Sequence, residues 1–388
     1  MGPFLLATLL TAILYFVVSW ERASTREIHI TSGASMTLAN LTTVDINGQL
    51  HFMTIRTAAD AESVNKNNVP VLLILHGGPG ATDIPFLYEA DYLLEEHFIV
   101  VHYDQRSAGK SCRYYNWKGG SNLTLQQHVD DGVAIVENLR GKFQQDKIYI
   151  AGGSWGSMLA LTMAHQHPEL FHFVAVHGTL VDGLSNDLIS REFILSKFPH
   201  ANVPMPPHGD RVKDINRHTR WLVRANGAFY QNPLEGLAQY IPSVAQWALH
   251  FTYTRHLLAS PEYSYGDTLR FQFCHHQTTK QMALEVQNFN AYQRAKEINV
   301  PVLFLHGRQD HLCVVELVED YYQALQAPWK RFVWFEQSGH FPDREEARLF
   351  QETLISIFFG NNQQNMQGMD DKDTQGDQER TKDVHSEL

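Results

Sequence analysis

Ser154, Asp310 and His340 are the residues of this chain whose types and order could carry out nucleophilic chemistry. Ser154 lies in Gly152-Gly153-Ser154-Trp155-Gly156, Asp310 ends the run Pro301-Val302-Leu303-Phe304-Leu305-His306-Gly307-Arg308-Gln309-Asp310, and His340 closes Gln337-Ser338-Gly339-His340. A hydroxyl attacks poorly unless a base takes its proton, and the base needs a carboxylate to fix its tautomer. Together the three would perform acyl transfer, with serine as nucleophile, histidine as base and aspartate as the orienting acid. Asp320 is the rival acid, but it falls within the helix-like run from Val314 to Leu325 rather than in a loop.

Each group must be held by an element that presents it. Gly-x-Ser-x-Gly follows the apolar run Lys147-Ile148-Tyr149-Ile150-Ala151 and precedes the helix-forming Met158-Leu159-Ala160-Leu161-Thr162-Met163-Ala164. That context describes a nucleophile elbow, a tight strand-to-helix turn that exposes the serine. His76-Gly77-Gly78-Pro79-Gly80 ends Val71-Leu72-Leu73-Ile74-Leu75, which reads as a buried parallel strand. The backbone N–H groups of Gly77, Gly78 and Trp155 are the candidate oxyanion donors. Asp104-Gln105-Arg106-Ser107-Ala108-Gly109-Lys110-Ser111 ends a third apolar run, Phe98 to Tyr103. Either loop alone reads as an ordinary strand-ending turn; their order ahead of Ser154 makes them specific. In this arrangement the acid follows a late strand and the histidine comes last, as Asp310 and His340 do.

With these motifs assembled, the chain resembles the proline iminopeptidase-type branch of the α/β-hydrolases. The family signature is His-Gly-Gly-Pro-Gly, then Asp-Gln-Arg-Gly-x-Gly-x-Ser, then Gly-Gly-Ser-Trp-Gly. All three occur here in that order, with Ser107 standing where the family usually has glycine. The resemblance covers roughly residues 45–180 and 298–358 and implies a serine peptidase or esterase acting through an acyl-enzyme. It brings His76, Pro79, Gly80, Asp104, Gln105 and Arg106 in as supports of the site. Related folds with aspartate at the elbow, the haloalkane dehalogenases and epoxide hydrolases, are set aside by Ser154.

The implied fold is α/β, with a mostly parallel central sheet flanked by helices and a helical lid inserted before the acid-bearing strand. The expected divisions are 1–20, a signal anchor or signal peptide; 21–180, the first part of the hydrolase core; 181–298, the lid; 299–360, the second part of the core; and 361–388, a disordered acidic tail. Helices are expected over Ile84–Glu96, Leu125–Gln144, Trp155–His167 and Arg344–Phe359, and Leu50 to Thr57 suits an early antiparallel strand. Between Val181 and Ile298 the strand–helix rhythm stops and aromatics and histidines accumulate, among them Trp221, Tyr253 and Phe273.

No cofactor and no metal is expected, because His-Glu-x-x-His and Cys-x-x-Cys are missing and the histidines show no ligand spacing. His-Gly-Gly-Pro-Gly lacks the lysine and spacing of a nucleotide loop. The net charge of −11 argues against nucleic acid as a partner. Residues 361–388 hold seven acids against three bases, so the tail carries −4 of that charge. Gly2 to Trp20 contains no charged residue and is long enough to meet a bilayer, making residues 2–20 the expected membrane contact. Arg22 and Arg26 after this span place the enzyme in the cytosol by the positive-inside rule. The sequons Asn40-Leu41-Thr42 and Asn122-Leu123-Thr124, and the ending His385-Ser386-Glu387-Leu388, point instead to the secretory pathway. The expectation is a membrane-anchored enzyme in the lumen of the endoplasmic reticulum, with a secreted or periplasmic setting as the alternative. Cys112, Cys274 and Cys313 permit at most one internal bridge.

The substrate is expected to be a short peptide or an acyl compound. The first alternative to a proline iminopeptidase-like aminopeptidase is an esterase or amidase for small or lipid-like acyl groups; the second is a non-catalytic scaffold. The family's aminopeptidases hold a free amino terminus with lid carboxylates. Among the lid acids Asp187, Glu192, Asp210, Asp214, Glu235, Glu262, Asp267 and Glu285, the sequence singles out none.

Overall fold

Apolar runs spaced along the chain become the strands of one sheet in the computed structural model, which describes residues 38–86, 93–116, 123–208, 212–225, 227–228 and 254–360. The strands are β1 (Leu38–Ile46), β2 (Gln49–Thr57), β3 (Val71–Leu75), β4 (Ile99–Tyr103), β5 (Ile148–Gly153), β6 (Phe171–His177), β7 (Val302–Gly307) and β8 (Lys330–Phe335). They pair in the order β1-β2-β4-β3-β5-β6-β7-β8. β1 and β2 form an antiparallel hairpin, β2 meets β4 antiparallel, and every pairing from β4 to β8 is parallel.

The continuous apolar character of β3 to β7 follows from burial on both faces. Val71, Leu73 and Leu75 point into one core with Val101, Ile150, Val174 and Val176. Leu72 points into the opposite core with Val100, Ala151, Phe173 and Leu303. Helices α1 (Leu125–Phe143) and α2 (Trp155–Gln166) supply Val129, Ile135, Leu139, Met158, Leu159 and Met163 to the first core. A C-terminal helix, numbered last below, covers the second. Each such side chain contributes about 1.5–3 kcal/mol by leaving water, an upper bound because the unfolded chain is already partly compact. Thr124 caps α1 by accepting the Gln127 amide, and Gln144 ends it in the left-handed region at φ 51°.

Between β6 and β7 the chain builds α3 (Gly183–Lys197), α4 (Val212–Arg224) and α5 (Tyr265–Gln287). α5 starts at a reciprocal cap in which Ser264 and Asp267 each bind the other's backbone N–H. It is bound to the loop after β4 by a disulfide, Cys112–Cys274, that spans 162 residues of sequence. Along that loop, Asp104 accepts from Tyr263 Oη at 2.6 Å, Lys110 Nζ donates to the Glu262 carbonyl at 2.9 Å, and Arg113 pairs with Asp267 at 2.7 Å.

After β7 come α6 (Val315–Ala324) and, past β8, the short turn Pro342–Glu345 and α7 (Ala347–Gly360). α7 brings Phe350, Leu354 and Phe358 to the second core. The continuous helix expected over Arg344–Phe359 is therefore broken at Glu346. The break has a use: Glu346 accepts the Gln337 amide and the Ser338 hydroxyl, and Glu345 accepts the Gly339 amide, so both acids are turned onto the loop that carries His340. The expected helix Ile84–Glu96 contains two short turns, Ile84–Phe86 and Leu94–His97, with residues 87–92 outside the described set. Residues 2–20, Asn122 and the tail 361–388 also lie outside it. Among the described residues no helix is long and apolar enough to cross a membrane.

Candidate active site

All the sequence-nominated groups converge at the carboxyl ends of the parallel strands, the edge where open α/β sheets bind ligands. Gly77 and Gly78 follow β3, Ser154 follows β5, Asp310 follows β7 and His340 follows β8. Ser154 stands at φ 53° and ψ −120°, a conformation that non-glycine residues avoid, immediately before the first turn of α2. The turn is possible because α2 comes down almost onto β3: a Cβ at Gly156 would lie 2.0 Å from the Leu75 carbonyl oxygen. The Ser154 amide donates to the His177 carbonyl at 2.9 Å, tying the elbow to β6. Trp155 N–H is the first of the helix and has no carbonyl inside α2 to bind, so it remains available to an anion.

Gln105 joins the three motifs. Its amide N–H donates to His76 Nε2 at 3.1 Å, its side-chain Nε2 donates to the His76 carbonyl at 2.9 Å, and its Oε1 accepts the Trp155 indole N–H at 2.8 Å. Because His76 Nε2 accepts, its proton is on Nδ1, which donates to the Gly77 carbonyl at 2.8 Å. Burial pushes the His76 pKa down to about 4, so the ring stays neutral and keeps this tautomer. The Gly77-Gly78 segment is thereby set against the nucleophile: a Cβ on Gly77 would lie 3.3 Å from Ser154 Cβ. Pro79 lines the cavity beside Ser154, and Gly80 packs against Thr278 of α5.

The other motif residues brace this frame. Arg106 donates two bonds of 2.8 Å to Asp131 of α1. Burial opposes the Asp131 charge, but the nearby His51 ring, 3.5 Å away, and the Arg106 bonds outweigh it and hold the pKa at about 2. Asp104 is fully buried, and burial raises its pKa to about 6 despite the bonds from Tyr263 and the Lys110 amide. Ser107, the departure from the family pattern, sits at φ 63°, which accounts for glycine being usual there. Here the serine hydroxyl accepts from Thr278 Oγ1 of α5 at 2.9 Å.

Asp310 and His340 meet directly, with His340 Nδ1 2.8 Å from Asp310 Oδ2. The second oxygen, Oδ1, accepts the Leu312 and Cys313 amides, each at 2.8 Å. Burial works against the Asp310 charge, but the His340 charge and hydrogen bond, His306 and the Cys313 amide hold its pKa below the usual value. The carboxylate thus keeps the proton of His340 on Nδ1 and leaves Nε2 as the basic nitrogen. Ser154, His340, Gly77 and Gly78 line one cavity of about 180 Å³. Ser154, Gly78, Pro79 and Trp155 also line a second, of about 750 Å³, beneath the lid. Asp320 lies on α6, and Oδ2 of Asp310 is the carboxylate oxygen that His340 holds.

Several residues at the site were given no role there by the sequence, although Cys313 and Asp187 were named in it. His306, fully buried, sets its Nε2 3.4 Å from Asp310 Oδ2 and 3.2 Å from the Cys313 carbonyl. The Cys313 thiol is buried and lines the large cavity with Ser154, and burial raises its pKa well above the ordinary thiol value. In the lid, Asp187, His208 and His218 gather at the large cavity. Burial pushes Asp187 up to about 6 and His218 down to about 4. His306 and Cys313 flank the Asp310 loop and were open to proximity reasoning; the lid group is assembled from segments 31 residues apart and carries no local motif.

The sequence profile of a family described as alpha/beta hydrolase fold matches residues 70–343. The chain is 31% identical over 302 residues to the Probable aminopeptidase YbaC of Bacillus subtilis (strain 168), covering 74% of this chain and 87% of that protein. It is 26% identical over 276 residues to the proline iminopeptidase of Xylella fastidiosa (strain 9a5c), covering 67% of this chain and 80% of that one. A crystal structure of proline iminopeptidase from Mycobacterium smegmatis superposes with a TM-score of 0.55 at 17% identity, over 83% of this chain and 98% of that one; this likeness is one of fold.

Proposed function

Because the chain belongs to the α/β-hydrolase family, we propose that it is a serine hydrolase working through an acyl-enzyme, and an aminopeptidase of the proline iminopeptidase kind acting on short peptides. The observation that carries this reading is Ser154 on its strained elbow, sharing one cavity with a His340 whose Nδ1 is held by Asp310 and with the Gly77-Gly78 backbone. In the proposed first step His340 Nε2 takes the Ser154 proton as Oγ attacks the substrate carbonyl. The oxygen that becomes negative is met by the Trp155 N–H and the N–H groups of Gly77-Gly78, aided by the positive end of α2. His340, now protonated beside the Asp310 carboxylate, gives the proton to the leaving amine. Water, deprotonated by the same nitrogen, then releases the acyl group.

The aminopeptidase part is supported by the names of the relatives and by a carboxylate in the right chamber. Asp187 lines the large cavity together with Ser154 and is ionised above about pH 6, where it can balance a substrate ammonium. Apolar lining from Met158, Leu180, Phe273, Ala283 and Val286 favours the second reading, an esterase for apolar acyl groups. We place the enzyme in an oxidising lumen, a setting supported by the Cys112–Cys274 bridge and by the exposure of Asn40 in its sequon.

The test compares kcat/KM for prolyl and other aminoacyl anilides with that for acyl p-nitrophenyl esters, beside Ser154→Ala and His340→Ala. Turnover of anilides that stops when the substrate amine is blocked, and that both substitutions abolish in folded protein, is the expected result. Ester turnover alone would shift the assignment to the second reading. Silence on both substrates with no labelling by a fluorophosphonate would end the hydrolase mechanism.

A further inference from the structure

Asp187 of α3, His208 of the segment before α4, and His218 of α4 each turn one donor atom toward a common point in the lid. His208 Nε2 lies 3.1 Å from His218 Nδ1 and 3.8 Å from Asp187 Oδ2. The candidate ligand atoms of all three lie within 4.8 Å of one another. A tetrahedral zinc ion with bonds of about 2.0–2.2 Å holds its ligand atoms about 3.3–3.6 Å apart. The observed triangle is therefore of the size such an ion spans, with only small side-chain movements needed to close on it.

The surroundings also set the rings for ligation. His218 Nε2 is 2.9 Å from Ser190 Oγ, and Ser190 spends its own proton on the Asp187 carbonyl at 3.3 Å. Ser190 must then accept from His218 Nε2–H, which leaves the lone pair of His218 on Nδ1, facing the common point. An outer hydroxyl that fixes an imidazole in this way is the usual companion of a metal-ligating histidine. His208 now donates Nε2–H to that lone pair; to ligate, its proton moves to Nδ1 of the same ring. Both imidazoles are buried, and all three residues line the large cavity that contains Ser154.

We propose that Asp187, His208 and His218 form a binding site for a divalent transition cation of the zinc type, with the remaining coordination position open to the substrate cavity. Two imidazoles and one carboxylate are a donor set suited to such ions. The ion would bridge α3, α4 and the segment between them, fixing one wall of the lid. If the aminopeptidase reading holds, it would also compete with a substrate ammonium for Asp187, so that zinc raises KM for free-amine substrates and spares acyl esters.

The binding test does not depend on activity. The full chain, stripped with a chelator and desalted, is titrated with Co²⁺ and followed by visible absorption. The expected result is the intense d–d spectrum of a tetrahedral ion with no thiolate charge-transfer band. His208→Gln and His218→Gln should abolish it, and Ser190→Ala should weaken binding by about tenfold or more. Metal-free melting curves identify any variant that has lost its fold, and Ser190→Ala keeps the test valid if a histidine variant fails. No tetrahedral spectrum in the parent chain, or one that survives both histidine substitutions, would overturn the proposal. So would a thiolate band removed by Cys313→Ser, since that places the ion at Asp310, Cys313 and His340 instead.

Discussion

Replacing Gln105 with methionine tests whether the three glycine-containing loops act as one frame. The substitution keeps the length and volume of the side chain but removes the donor to the His76 carbonyl and the acceptor of the Trp155 indole. Gln105 and Trp155 are 1% and 2% exposed, so water cannot replace either bond. Leaving a buried polar group unpaired costs about 1–3 kcal/mol, so two such groups give a loss of about 2–6 kcal/mol. Urea unfolding, read at the midpoint with an unchanged slope, measures that loss. The kinetic effect is separate. Gln105 never touches the substrate; it holds His76 and hence the Gly77-Gly78 donors against Ser154. Displacing those donors by a fraction of an ångström weakens the transition state more than the ground state. We expect kcat to fall about tenfold to a hundredfold with KM little changed. Gln105→Glu is the companion variant, because a carboxyl buried here without a counter-charge is held neutral, accepts from Trp155 and can give its single O–H to the His76 carbonyl. It should fall between parent and methionine in both measurements. A Gln105→Met protein with stability and kcat within twofold of the parent would refute the idea that this residue sets the oxyanion loop.

Three further outcomes follow from other parts of the molecule. Replacing Cys112 and Cys274 with serine opens a 162-residue loop, which in the chain-entropy account lowers stability by about 5 kcal/mol; an unchanged urea midpoint would show that the bridge does not constrain the unfolded chain. Gly156→Ala forces a Cβ to 2.0 Å from the Leu75 carbonyl and should cost about 3 kcal/mol or more, whereas Gly141→Ala on the open face of α1, with nothing within 4 Å, should gain about 0.4–1 kcal/mol by thermal denaturation. Asp104 has a folded pKa raised by burial to about 6, so its contribution is fully present below its unfolded pKa and is lost as pH rises through about 6. Stability of the parent should therefore drop across pH 4 to 6 by on the order of 3 kcal/mol relative to Asp104→Asn, and parallel pH profiles of the two proteins would rule this out.

The features legible in the sequence were those with a local pattern. Val71–Leu75 and Ile148–Ala151 announce buried strands because both their faces are covered, and Gly152 to Gly156 announces a turn because α2 must touch β3. The positions of Asp310 and His340 followed from chain order and from the strands that precede them. Gln105 could be nominated as part of a motif, but its role depends on His76 and Trp155, which are 29 and 50 residues away. The break at Glu346 was invisible because the helical periodicity runs straight through it; only the loop holding His340 calls the acids away. The lid cluster was hidden for the same reason in stronger form. Asp187, His208 and His218 belong to three segments whose approach is decided by tertiary packing, not by spacing.

The attachment of α5 to the loop after β4 has a mechanical consequence. The bridge Cys112–Cys274, the pair Arg113–Asp267, the Tyr263–Asp104 bond and the Thr278–Ser107 bond rivet one side of the roof to the same stretch, residues 104–113, that carries the motif beside the nucleophile. That side is a fixed jamb. Any displacement of α5 would have to break these bonds or carry with it the stretch that holds Gln105, and so would disturb the frame of the nucleophile itself.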